Sequence, residues 1–72
     1  MYAKGDLDGA ILKYREAIRL NPEYAEPHNN LGNALYDKGD LDGAILEFRK
    51  ALRIQPDNAT AKLNLKRALR EE

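Results

Sequence analysis

The amino-acid sequence predicts an all-α fold of stacked antiparallel helix hairpins, and three observations carry the prediction. The stretch GDLDGAIL occurs at Gly5 to Leu12 and returns at Gly39 to Leu46, 34 positions later. That offset also pairs Tyr2 with Tyr36, Arg15 with Arg49, Pro22 with Pro56, Asn30 with Asn64 and Ala34 with Ala68, so the repeat runs through nearly the whole chain. A repeat of this length marks a stack of supersecondary units, each too small to bury its apolar face alone. Residue usage agrees: Val is absent while Ala, Leu, Glu, Lys and Arg abound, and straight side chains lose little rotamer freedom in a helix. The apolar residues, finally, recur at spacings of three and four, which lays them in one stripe along a helix.

A first helix is expected over 6–20, where Leu7, Ala10, Ile11, Tyr14, Ala17 and Ile18 form the stripe. Asn21-Pro22-Glu23 ends it, because proline biases the residue before it toward extended backbone and cannot continue the hydrogen-bond ladder. A second helix, 24–38, carries His28, Leu31, Ala34 and Leu35 and stops at Lys38-Gly39-Asp40. The third, 40–54, repeats the first stripe with Leu41, Ala44, Ile45, Phe48, Ala51 and Leu52. After Gln55-Pro56-Asp57-Asn58 a fourth, 58–71, repeats the second type with Ala61, Leu65, Ala68 and Leu69. Connections this short turn each helix back against its predecessor. Gly5 and Gly39 sit where a left-handed residue ends a helix at no steric cost. Asp6 and Asp40 follow as N-caps, and Asp8 and Asp42 add negative charge near the positive helix end. Ala10, Gly32 and Ala44 are small enough for paired helices to approach closely. Gly9 and Gly43 fall inside a first turn that they weaken, with no compensating role visible in the sequence.

Few function classes remain open. The 72 residues make a single domain, 1–72, whose core supplies only about 3–5 kcal/mol of net stability. Twelve Lys and Arg balance twelve Asp and Glu, so no field of one sign draws the chain to nucleic acid or to an anionic membrane. No apolar run suffices for a membrane span and no signal segment follows Met1. The chain reads as soluble, cytoplasmic in type if natural, and its compartment is not written in the sequence. Ser and Cys are absent, and Thr60 and His28 are alone of their kinds, too little to assemble a nucleophile with its base. Neither an enzyme nor a cofactor is expected, and His28 is expected to pack on the apolar side of its helix. Lys62, Lys66, Arg67 and Arg70 give the last helix a basic, solvated end. The Asp-x-Asp-Gly core of GDLDGAIL resembles part of a calcium loop. With Gly9 at the sixth position, however, Lys4 and Arg15 fall at the first and twelfth, and the second copy places Lys38 and Arg49 there. A calcium loop requires oxygen ligands at both places, so no metal is expected.

His28-x-x-Leu31-Gly32-x-x-Leu35, followed by Ala44-x-x-x-Phe48 and Pro56, resembles the tetratricopeptide repeat, whose period is also 34 residues. Ala10-x-x-x-Tyr14 and Pro22 match the latter half of an earlier copy, while His28 and Leu35 stand where the family prefers Trp and Tyr. The resemblance implies a short right-handed solenoid whose concave groove holds a protein or an extended peptide. It divides the chain into a partial repeat over 1–22 lacking its first helix, a complete repeat over 25–58 and a capping helix over 59–72. The groove residues it implies are Glu26, Thr60 and Leu63, together with the expected peptide-binding residues Asn29, Asn30, Asn33, Tyr36, Asp37, Asn64 and Arg67. Asn30 and Asn64, at equivalent places, are similar to the asparagine ladder of O-linked N-acetylglucosamine transferase repeats, where each amide both donates to and accepts from a peptide backbone. The subgroup that clamps the carboxylate tail of heat-shock chaperones wants cations where Asn29, Thr60 and Asn64 stand, so that ligand is not expected. A start in mid-repeat implies a designed or excised array with an unpaired face on helix 6–20. The alternative function is a structural or self-assembling module without a peptide ligand, a homo-oligomer formed through that face by two-fold pairing or head-to-tail growth. Lys66 opposes head-to-tail growth, because it stands where the repeat pattern has Gly.

Overall fold

The computed structural model describes residues 6–71. Four helices run through them: α1 (Leu7–Leu20), α2 (Ala25–Lys38), α3 (Leu41–Ile54) and α4 (Ala59–Arg70). Each begins one residue later than expected, because residues 6, 24, 40 and 58 are caps, and α4 ends at Arg70.

The turn between α2 and α3 follows from backbone accounting. Gly39 is left-handed, with φ 95°. Its N–H donates to the Tyr36 carbonyl at 3.0 Å, and the Asp40 N–H donates to the Leu35 carbonyl at 2.8 Å. Two acceptors that the end of α2 would leave orphaned are thereby satisfied. The Asp40 carboxylate then accepts from the Gly43 N–H at 3.0 Å and starts α3. A Cβ on Gly43 would collide with that carboxylate as it stands, so the glycine leaves it room to cap. Gly9 lies under Asp6 in the same way, but Asp6 makes no cap hydrogen bond, so the expected cap forms in only one of the two copies. The Asp6 backbone (φ −126°, ψ 48°) differs from that of Asp40 (φ −90°, ψ 80°) and turns the carboxylate off the N–H. The stop expected at Gly5 lies outside the described residues. At the start of α2 no side chain caps the helix; Pro27 in its first turn removes one N–H that would need a partner. Asn58 caps α4 by accepting from the Ala61 N–H at 3.0 Å.

Helix α2 is the centre of the molecule and packs on α1, α3 and α4. Its Leu31, Ala34 and Leu35 meet Ile11 of α1, Ala44, Ile45 and Phe48 of α3 and Ala68 of α4 in one core. A smaller cluster of Ala25, Ala51 and Ala61, flanked by Leu52 and Ile54, closes the other end. The fully buried Phe48 ring lies on Gly32, where a Cβ would overlap it. That close approach is what the small residue permits. Helices α1 and α3 both rest on α2 without an extensive interface of their own, which leaves a trough floored by α2. The packed helical hairpins form a short solenoid.

Candidate functional site

Asn29, Asn33 and Tyr36 form a stripe along α2, and Asn64 and Arg67 of α4 form another that Glu71, its C-cap, continues. Two reversals of the chain make these helices parallel, so contacts between them recur in constant register. The Asn64 amide Nδ2 donates to Asn29 Oδ1 at 3.2 Å, and the Tyr36 hydroxyl donates to the Glu71 carboxylate. Both contacts span 35 positions, one more than the repeat period. Neighbouring parallel helices touch through opposite flanks, and one residue is a rotation of about 100°. The Arg67 guanidinium stands over the Tyr36 ring, 5.2 Å from its centroid, within cation–π range. The hydrogen bond to Glu71 holds the Tyr36 phenol above the usual tyrosine range, with Arg67 opposing the shift. The Tyr36–Glu71 bond is therefore kept while the phenol is protonated and is lost as pH rises through that elevated value.

Asn29 and Asn64 are buried. Among the described residues no buried side-chain polar atom lacks a partner. The Asn29 NH₂ and the Asn64 carbonyl oxygen, which their mutual bond does not use, therefore reach the surface.

The structure thus joins Asn29, Tyr36, Asn64 and Arg67. Asn33 is half-buried in the stripe between the two contacts, and Asp37 is exposed in the last turn of α2. Asn30 is half-buried, and the hydrogen bond of Asn64 goes to its neighbour Asn29. Glu26 is exposed and accepts from the Tyr24 hydroxyl at 2.8 Å, a bond that raises the Tyr24 pKa. Thr60 and Leu63 are exposed near the start of α4.

Sequence reasoning missed the partners of His28. The ring is buried, as its place on the apolar side suggested, but both nitrogens are engaged: Nδ1 lies 2.9 Å from Glu47 Oε1 and Nε2 3.0 Å from the Pro22 carbonyl. A carbonyl only accepts, so Nε2 carries a proton and donates to it. Lys50 Nζ stands 3.6 Å from Glu47 Oε2. One side chain thereby ties α2 to α3 and to the turn before α2. The available signal was Glu47 itself, a charged residue between Ile45 and Phe48 on the buried flank of α3.

Two of the four aspartates of the repeated stretch have structural partners: Asp40 caps α3 and Asp8 pairs with Lys38 of α2. Among the described residues no three His, Asp or Glu side chains are gathered as a metal ion would require. No helix among them is long and apolar enough to cross a membrane. A family model described as TPR repeat matches residues 1–39 and again 32–69. No curated protein matches the chain significantly.

Proposed function

The chain belongs to the tetratricopeptide-repeat family, and from that premise we propose that it is an interaction module which holds an extended peptide along the α2–α4 face. Repeats of this family generally bind proteins or peptides, and typically serve as scaffolds that carry out no catalysis. The observation that carries the finer reading is the Asn29–Asn64 pair. Its two uncommitted amide groups are one donor and one acceptor, the complement of a single peptide unit, and they read a backbone whatever its side chains. About 10 Å along the same stripe, seven residues at 1.5 Å each, Arg67 is held over Tyr36. A guanidinium already oriented by stacking loses less freedom when it takes a carboxylate. The peptide favoured is therefore extended and carries an acidic group beyond the segment read by the amides.

A fluorescein-labelled array of extended twelve-residue peptides tests this reading. Peptides retained by the native protein are expected to bind the Asn29→Ala, Asn64→Ala double variant about tenfold more weakly, the equivalent of two hydrogen bonds. Circular dichroism checks that the variant keeps its helices. Equal binding by both proteins would remove the amide pair from the reading, and no retained peptide at all would favour the self-assembling alternative.

A further inference from the structure

The trough between α1 and α3 lies on the other side of α2 from the α4 contact. At about 100° per residue, His28, Leu31 and Leu35 on its floor are rotated about 130° from Asn29, Asn33 and Tyr36. Near the α2–α3 turn the trough widens into a cavity of about 570 Å³ with Ile11, Leu12 and Leu35 as its apolar lining. Toward the far end lies a second cavity of about 270 Å³, where Ile18 and Leu31 supply the apolar lining among Arg19, His28, Glu47 and Lys50. Arg15 borders both.

The other charges along the trough are committed. Asp8 takes Lys38, Asp40 caps α3, Arg19 takes Glu16, and Glu47 is shared by His28 and Lys50. Arg15 makes no ion pair or hydrogen bond among the described residues. A cation with no partner among the described residues thus stands between two cavities, each with an apolar patch inside a charged rim, beside a leucine, Leu12, that is 69% exposed.

We propose that this trough is a second docking surface, for a peptide segment that carries a carboxylate between two apolar side chains. Arg15 takes the carboxylate, and each cavity takes one apolar group. Ile11 and Ile18 are seven residues apart, about 10 Å along α1. An amphipathic helix with apolar residues at i and i+7 and an acid at i+4 has the same spacing. A guanidinium flanked by apolar surface favours a carboxylate through charge-assisted hydrogen bonds, whereas a neutral amide lacks the charge.

The probe is a fluorescein-labelled, alanine-rich peptide with leucines at i and i+7 and glutamate at i+4, beside a second peptide with glutamine in place of the glutamate. Fluorescence anisotropy is expected to show the glutamate peptide binding the native protein. Binding weakens about tenfold, as for loss of one charge-assisted hydrogen bond, with the glutamine peptide or with the exposed-site variant Arg15→Ala. Arg49→Ala, the equivalent position one repeat later and off the trough, is expected to change nothing, and so is the Asn29→Ala, Asn64→Ala variant. Equal binding by native and Arg15→Ala protein, or loss of binding in the asparagine variant alone, would overturn the assignment. So would a native dimer, seen by sedimentation, that Arg15→Glu dissociates, because the trough would then belong to a second copy.

Discussion

At the scale of the residue, the contact between His28 and Glu47 matters most, because both side chains are buried and their partners are few. Without His28, Glu47 would keep only Lys50 at 3.6 Å, and the Pro22 carbonyl would lose its donor. Breaking a buried pair from one side costs about 3–5 kcal/mol. The net stability of a core this small is itself about 3–5 kcal/mol. His28→Ala is therefore expected to lose its cooperative unfolding transition in a circular dichroism melt. The His28→Leu, Glu47→Leu double variant should melt higher than either leucine single, since removing both partners also removes the penalty for burying a charge. Losses that simply add in the double variant would show that the two residues do not act as a pair.

At the scale of the element, two glycines inside helices are present for different reasons, and substitution separates them. Alanine in place of glycine favours a helix by about 1 kcal/mol. At Gly32 the added Cβ meets the ring of Phe48, which is fully buried and has nowhere to move; overpacking of this kind costs about 1–3 kcal/mol. At Gly43 it meets only the Asp40 carboxylate, which can swing into solvent at the loss of a cap worth about 0.5–2 kcal/mol. Gly32→Ala is thus expected to lower the urea midpoint, and Gly43→Ala to leave stability within about 1 kcal/mol of the native protein because its gain and loss offset. A Gly32→Ala variant as stable as the native chain would mean that α2 and α3 can separate without cost.

At the scale of the whole molecule, the same close contact governs self-association. Phe48 and Ala51 of α3 are buried, while their equivalents on α1, Tyr14 and Ala17, are half-buried. A second copy covering them with α4 at the α2–α3 spacing would bring Lys66 to the place of Gly32, where even a Cβ overlaps the ring. Such an overlap is expected to oppose head-to-tail growth in that geometry. Sedimentation equilibrium is expected to show no open-ended mass increase for the native chain, with growth introduced by Lys66→Gly; growth of the native chain would mean another packing. The helices and their turns were legible in the sequence because each depends on neighbours within about one turn, through the stripe spacing, Gly39 and the prolines, and the core followed from stacking the stripes of a 34-residue repeat. By itself, then, the sequence determined an all-α chain of repeated hairpins with small residues, Ala10, Gly32 and Ala44, where paired helices approach. Only the tertiary structure decided that Asn64 bonds Asn29 and not Asn30, that Glu47 is buried beside His28, that Glu71 receives Tyr36, and that Arg15 stands alone between two cavities. Those outcomes depend on how far each helix is rotated about its own axis against the others. That rotation is set by the packing of all the core side chains together, and no spacing along a single helix contains it.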